Sequence, residues 1–415
     1  MNNCPCLFCV ADDITGAAEI AGVALAMGLR VSLLMHGGTL TDSLPDCDVC
    51  VVATDSRSMS PQDAACCVAD VCKGILRLMG GSRGFTVFKK TDSVLRGNIL
   101  RELTSMAGLL GSSNVLLLPQ NPSKGRIIIG GKYLVDNIPL SETDFRSDPE
   151  FPALHDEPTL ILLSNARAAA SDSLMPVVGI ATDSRSLAAG SVCVADAYGE
   201  EQIDSQLAKA SESTLLAGGA DFFAAVVRKL YGQSARCDAS PRQEAAEGSL
   251  LMGITRDGGK VIVVCGSTQS ASLAATPLMQ HVSSREEPMP DDVFEGLPDE
   301  AWHMRLVESW TDSQLLTVSI GNHPRRGADY ARRLRREMAV AVSRLCSSRQ
   351  PEALVIEGGA TAFCVLSLLG WSLFRVERQI SPGVVALRLS QNASGVSSPL
   401  VILKPGSYPW GRIFG

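Results

Sequence analysis

The sequence predicts an α/β protein built as two α/β domains with mainly parallel sheets facing an interdomain cleft. Three observations predict it. Short β-branched or leucine-rich runs alternate with helix-length stretches, the pattern of parallel strands joined by crossover helices. The alternation breaks at a polar segment carrying Pro241 and resumes beyond it. The chain has 415 residues, which at roughly 150 residues per domain suits two. A composition of 46% hydrophobic, 20% charged and 5% aromatic residues is that of a globular chain, neither disordered nor fibrous.

Taken in order, strands are expected at Leu7–Ala11, Val31–Met35, Val49–Ala53, Phe85–Lys89 and Val115–Leu118, each short, apolar and followed by a polar turn. Between them, Ala17–Met27, Pro61–Met79 and Leu100–Leu110 have helical length. Further strands are expected at Thr159–Leu163, Val177–Ala181 and Leu215–Ala217, the last leading through GGADF into a helix over Phe222–Tyr231. The polar run Gly232–Gly248 marks the linker, so the domains are expected at 1–232 and 259–415 with 233–258 between them. The second pattern has strands at Val261–Cys265, Leu316–Ile320, Leu354–Glu357, Val384–Leu389 and Leu400–Lys404, with a long helix around Gly327–Ser347. Ser283–Glu300, with Pro288, Pro290 and Pro298, reads as a loop.

Charge and motif absences narrow the function. Lys+Arg 37 against Asp+Glu 44 gives −7, so the chain lacks the basic field that nucleic-acid binding draws on. The arginines from Arg325 to Arg336 are expected to form a solvated helix face opposite Leu334, Met338 and Val342. No apolar stretch reaches the ~18 residues of a membrane span, and MNNCPCLFCV is unlike a signal peptide; a cytoplasmic location with no membrane partner is the expectation. Of 13 cysteines, Cys6/Cys9 and Cys47/Cys50 sit three apart in strand-like runs, where such residues face opposite ways, so reduced thiols are expected. The histidines show no paired metal spacing. No G-x-G occurs, which removes the dinucleotide fingerprint and the kinase glycine loop. A formal G-x-S-x-G at Gly80–Gly84 has helix before it and strand after it, the reverse of a hydrolase elbow.

Two constellations carry chemistry. In ADDITGAAEIAG, Ala11–Gly22, two carboxylates end the first strand. Asp12 and Asp13 suit ligand hydroxyls or a magnesium ion, and Asp13 also suits a helix cap; two adjacent carboxylates repel and call for a cation or hydroxyl donors. In KKTDSVLRGN, Lys89–Asn98, the cations Lys89, Lys90 and Arg96 bracket Thr91 and Asp92 directly after a strand. Such a group fits an anion with several hydroxyls: Arg grips a carboxylate with two bonds, Lys adds point charge and Asp accepts from a hydroxyl. Arg57, in the TDSRS element Thr54–Ser58, adds a cation at a neighbouring strand end. That element recurs at Thr182–Ser186, where Asp183 and Arg185 read as a surface turn. In the second half, GSTQS at Gly266–Ser270, GGAT at Gly358–Thr361 and KPGSYPWG at Lys404–Gly411 each follow a strand. Glycine-rich strand-to-helix turns expose N–H groups to phosphate, so three of them suggest a nucleotide.

With these motifs and PQNPSKGRIIIGGKYLVDNIPLSETDF over Pro119–Phe145 in the same order, the chain resembles the four-carbon acid sugar kinases along nearly its whole length. The resemblance implies an amino-terminal sugar-acid domain, a carboxyl-terminal nucleotide domain, and ATP-dependent phosphorylation of threonate, erythronate or 3-oxo-tetronate at the terminal hydroxyl, with Mg2+. It implies substrate contacts from Asp12, Asp13, Arg57, Lys89, Lys90 and Asp92, to which Thr91 and Arg96 of the same cluster are added. ATP contacts are implied for Ser267, for Gly358, Gly359, Ala360 and Thr361, and for Gly406. Asp92 or Asp13 is the candidate to orient the attacking hydroxyl or take its proton. Departures from the family's forms fall at GSTQSASLAAT, at PWG and at PQNPSK, and bear on substrate choice. A homodimer is a family-level expectation. A non-catalytic sensor of a sugar acid or nucleotide is the alternative.

Overall fold

A computed structural model describes residues 7–37, 46–80, 84–148, 150–167, 177–180, 189–232, 250–266, 282–297, 300–321, 328–390, 398–406, 410 and 413. The chain divides into two compact units, Met1–Val31 with His36–Asp238, and Ser32–Met35 with Ala239–Gly415.

In the first unit the strands are β1 (Leu7–Ala11), β3 (Val49–Ala53), β4 (Thr86–Lys90), β5 (Asn114–Leu118), β9 (Val177–Ile180), β10 (Val192–Ala195) and β11 (Thr214–Gly218), with β2 (Val31–Met35) between β1 and β3 in sequence. They lie in the order β3-β1-β4-β11-β5-β10-β9, every pair parallel. Their apolar runs are continuous because a parallel sheet is covered on both faces. Helix α1 (Ile14–Ala26) packs with α6 (Ala220–Tyr231), and α2 (Pro61–Met79) packs with α3 (Ile99–Leu110). Ser60 caps α2 by accepting from the Asp63 N–H, with Pro61 at the first helical position, where its missing donor is no loss. Phe88 of β4 packs its ring 5.3 Å from that of Phe223 on α6. Helix α5 (Glu200–Leu207) also packs on α6. A small antiparallel meander, β6 (Arg126–Ile129), β7 (Lys132–Val135) and β8 (Ile138–Pro139), follows β5.

Thr159–Leu163, expected as a strand, is instead the start of helix α4 (Pro158–Arg167). A run of four apolar residues has no period of its own, and Pro158 favours a helix start. Ile161 and Leu162 are buried while Leu160 and Leu163 are exposed, so only one helix face is used.

The second unit has strands β12 (Val261–Cys265), β13 (Ser284–Pro288), β14 (Leu315–Ser319), β15 (Ala353–Glu357), β16 (Leu373–Ser381), β17 (Val384–Leu389) and β18 (Leu400–Lys404). Their order is β13-β14-β12-β15-β18-β17-β16, parallel as far as β18 and antiparallel from there. Strand β2 belongs with this sheet, pairing antiparallel to β16 at Leu34 and Leu373. Its helices are α7 (Leu250–Arg256), α8 (Asp291–Phe294), α9 (Glu300–Asp312), α10 (Ala328–Ser348) and α11 (Gly359–Leu368). Leu251, Val263, Val355, Ile402 and Trp410 share its core.

Two expectations change here. Residues 250–256, placed in the linker, form α7 and bury Leu251 in the core, while 233–249 lie outside the described residues. Ser283–Glu300, read as a loop, contains β13 and α8. An edge strand needs backbone partners along one side only and tolerates charge and a terminal proline, so its polar sequence hid it. No helix of the described residues is long and apolar enough to cross a membrane. Cys9, Cys47 and Cys50 are buried and in no disulfide among the described residues, and burial first, then a neighbouring thiol, holds Cys9 and Cys50 well above their ordinary value.

Candidate active site

Parallel pairing brings three strand ends together. Ala11 of β1 is in register with Ala53 of β3 and with Lys90 of β4. The next residues of each strand therefore emerge side by side at the carboxyl edge, where open α/β sheets hold ligands. Those residues are Asp12 and Asp13, the turn Thr54–Arg57, and Thr91 and Asp92.

Arg57 is the hub. Its Nε donates to Asp12 Oδ2 at 2.7 Å, its Nη2 lies 2.9 Å from Asp13 Oδ1 and its Nη1 lies 3.6 Å from Asp92 Oδ2. Asp13 also caps α1 by accepting from the Gly16 N–H at 2.9 Å and from the Thr15 hydroxyl. Capping and ion pairing thus fall on one carboxylate. Burial alone would raise the Asp13 carboxyl, yet Arg57, the Thr15 hydroxyl, Lys90 and the Gly16 N–H together hold it below its ordinary value.

Asp92 is more heavily engaged. Its Oδ1 accepts from the N–H groups of Val94 and Arg96 and from Arg96 Nε, and its Oδ2 from Arg96 Nη2 at 2.8 Å. Against the opposing effect of burial, Arg96 and Arg57 hold its carboxyl well below the usual carboxylate range. The turn is tight: Leu95 has φ 65, costly for a branched side chain, and is held by its N–H to Asp92 O and by Asn165 Nδ2 on its carbonyl.

Lys89 and Lys90 separate, because consecutive strand residues face opposite sides of the sheet. Lys90 turns to α1, its Nζ 3.4 Å from Glu19 Oε2 and 2.9 Å from Thr91 O. Lys89 turns to α3 and is wholly buried, 3.0 Å from Glu102 Oε2. The structure therefore does not bring Lys89 to the cluster; it lies under it. Glu102 Oε1 accepts from the Ser56 hydroxyl, which is 2.8 Å from Thr54 Oγ1. Asn98 Nδ2 reaches the carbonyls of Ser56, Arg57 and Met59 at 3.2, 3.3 and 3.0 Å. The start of α3 thus clamps the loop that carries Arg57.

Two polar atoms are left over: Asp12 Oδ1 and Thr91 Oγ1 are buried and have no hydrogen-bond partner among the described residues. Sequence reasoning did not single out Glu19, Lys124, Arg126, Phe145 or Asp148. Lys124 bonds Glu19, Arg96 Nη1 is 3.1 Å from Asp148 Oδ2, and Arg126 bonds the Ser93 hydroxyl. Lys124 and Arg126 follow β5 as Lys90 ends β4, so the rule that flagged the one applied to the others.

Gly97 sits in this clamp with φ +93, and a Cβ there would lie 3.1 Å from Arg57 Cγ. Gly97→Ala is expected to cost about 1–3 kcal/mol, whereas Gly108→Ala, in α3 with open space around it, is expected to add up to about 1 kcal/mol. Urea unfolding of the two variants checks both signs.

In the second unit, the turns after β12, β15 and β18 are neighbours, since Cys265 and Lys404 both register with Glu357. Gly358 has φ +91 and donates its N–H to Lys404 O at 2.9 Å. Gly359, Ala360 and Thr361 form the first turn of α11, with free-ended N–H groups by helix geometry. A Cβ on Gly266 would meet Thr361 Oγ1 at 2.2 Å, so glycine is needed there for packing. Lys404 Nζ lies 2.6 Å from Glu357 Oε1, both buried, and 4.4 Å from the Trp410 ring centroid. Gly406 follows in the same turn. Ser267, Asp183 and Arg185 lie outside the described residues.

The fold and this edge define an α/β protein with a polar, charge-compensated side-chain cluster at the carboxyl edge of a parallel sheet. Residues 7–226 match the family model described as Sugar-binding N-terminal domain, and the chain belongs to that family. It is 27% identical over 416 residues to a D-threonate kinase of Cupriavidus necator, covering 96% of this chain and 94% of that protein. It is 23% identical over 428 residues to a 3-oxo-tetronate kinase of Methylobacterium radiotolerans, covering 99% and 97%. A D-erythronate kinase of Heliobacterium modesticaldum is 32% identical over 198 residues, which span 46% of this chain and 42% of that protein. In fold it is similar to a Haemophilus influenzae protein of the DUF1537 family, with TM-score 0.65, 18% identity and 98% of each chain covered. A Salmonella typhimurium LT2 structure has TM-score 0.69 at 19% identity, covering 98% of this chain and 97% of that one.

Proposed function

We propose that this chain is a kinase that transfers the γ-phosphoryl group of ATP to the terminal hydroxyl of a four-carbon sugar acid such as threonate, erythronate or 3-oxo-tetronate. The observation that carries the reading is Asp12, whose Oδ2 is bound by Arg57 while its buried Oδ1 has no donor among the described residues. A buried carboxylate oxygen without a donor is costly, and a ligand hydroxyl supplies one. Full-length relatives named as kinases of such acids support the substrate class, and the adjacent glycine turns of the second unit suit nucleotide phosphates.

Magnesium takes one or two carboxylates and completes its shell with water and phosphate oxygens. Among the described residues no three His, Cys, Asp or Glu side chains gather to hold an ion, so no step is assigned to a protein metal site. The chain's own residues position the reactants. Phosphoryl transfer passes through a loose transition state in which placement and charge neutralisation dominate. Asp92 and Asp13, whose oxygens are taken up by Arg96, Arg57 and N–H donors, are poor proton acceptors and serve to hold the arginines. Asp12 Oδ1 is the oxygen left to orient the attacking hydroxyl, with Arg57 fixing the other oxygen of Asp12 and Lys90 adding positive charge near Asp13.

ADP release is measured with ATP and magnesium over D- and L-threonate, D- and L-erythronate and 3-oxo-tetronate. Turnover is expected with at least one acid, and Asp12→Asn, which puts an NH₂ donor or a neutral oxygen where a carboxylate accepted, is expected to lower kcat/KM by about 10²- to 10³-fold. Unchanged turnover in Asp12→Asn removes the role of Asp12. Silence over the whole panel from folded protein that binds ATP removes the kinase reading.

A further inference from the structure

The charges of the first unit's cluster compensate one another with one exception. Arg57 faces Asp12, Asp13 and Asp92; Arg96 faces Asp92 and Asp148; Lys90 and Lys124 share Glu19. Arg126, at the start of β6, is within ion-pair distance of no carboxylate among the described residues. Its Nη1 donates to the Ser93 hydroxyl, next to Asp92, and its guanidinium carbon lies 5.5 Å from the centroid of the Phe145 ring. Arg96 lies over the same ring at 5.6 Å. Ser93 is fixed in turn by the Tyr133 hydroxyl, which donates to its carbonyl.

A guanidinium presents five N–H donors in a planar fork that matches a carboxylate with two parallel bonds. One bond to Ser93 and the contact with the Phe145 ring hold the fork at Arg126 and leave its other donors unclaimed among the described residues. Arg57, by contrast, is held by three aspartates and has little left to offer an incoming anion. We infer that Arg126 takes the carboxylate of the sugar acid, leaving the Asp12–Arg57–Asp92 group to its hydroxyls. This rests on the acid-kinase reading above and assigns the residue that tells an acid from an uncharged polyol of the same length. Phe145 and Ser93 are its positioning residues.

The test is equilibrium titration calorimetry without nucleotide, on the wild-type chain, Arg126→Gln and Arg126→Lys, with the four threonate and erythronate isomers and with threitol and erythritol. Gln preserves much of the stem and a donor, and circular dichroism verifies the fold of each variant. For the preferred acid, Arg126→Gln is expected to raise Kd by about 100-fold, the equivalent of one charge-assisted bond pair, with Arg126→Lys between; tetritol binding is expected to stay the same. If Arg126→Gln binds the acid as tightly as wild type, or if it weakens acid and tetritol equally, the assignment is overturned while the kinase reading stands. If wild type binds an acid through Arg126 and releases no ADP, the kinase reading falls and the carboxylate site stands. If wild type binds none of the acids, both fall.

Discussion

Arg57→Met is expected to destabilise the first unit by about 3–5 kcal/mol at pH 7, the cost of removing one partner from a buried ion cluster, and to introduce a pH dependence that the native chain lacks between about pH 5 and 8. In the native chain the Asp13 and Asp92 carboxyls are held below their ordinary values. Groups depressed on folding add stability that is complete above the unfolded carboxyl value of about 4 and is lost as pH falls through the lower folded values. These groups therefore give the native chain no slope between about pH 5 and 8. Without Arg57, burial, the largest influence on Asp13, acts against its charge with only the Thr15 hydroxyl, Lys90 and the Gly16 N–H left to oppose it. A carboxyl raised on folding stabilises at low pH and loses that contribution as pH rises through the folded value. The variant is thus expected to be more stable at pH 5 than at pH 7.5. Urea unfolding across that range decides it: a flat profile and a loss below 1 kcal/mol would mean that Arg57 is not what neutralises the cluster.

Lys89→Met is the second large effect. Lys89 and Glu102 are 0% and 1% exposed in their side chains, so removing the ammonium strands a carboxylate in the core at a cost of about 3–5 kcal/mol. Adding Glu102→Leu removes the stranded charge, and a pair of apolar side chains of similar volume often matches a buried ion pair. The double variant is expected to recover most of the loss, short of the bond that Glu102 makes to the Ser56 hydroxyl. A double-mutant cycle by urea unfolding reads the coupling. If the double variant is as unstable as Lys89→Met, the pair is not the source of the effect.

The chemistry of the site was legible in short stretches of chain. ADD, TDSR and KKTD each follow an apolar run at a strand end, and the parallel pairing of β1, β3 and β4 makes those ends adjacent. Edge strand β13 and helix α4 were not legible, since their local residues carry either charge or too short an apolar run for a period to emerge. The meander β6–β8 was missed for the same reason, although it delivers Arg126 to Ser93.

The residues themselves determined the alternating α/β plan, the strand ends where ligands can sit and the excess of carboxylates that needs cations or hydroxyls. Strand alternation alone also sends Lys89 and Lys90 to opposite faces. Only the tertiary structure decided which face meets the cluster, because that depends on α1 bringing Glu19 to Lys90 and α3 bringing Glu102 to Lys89. It likewise decided which charges cancel. Ion pairing depends on distances between segments far apart in sequence, such as Arg57 with Asp12 and Arg96 with Asp148, and composition counts charges without pairing them.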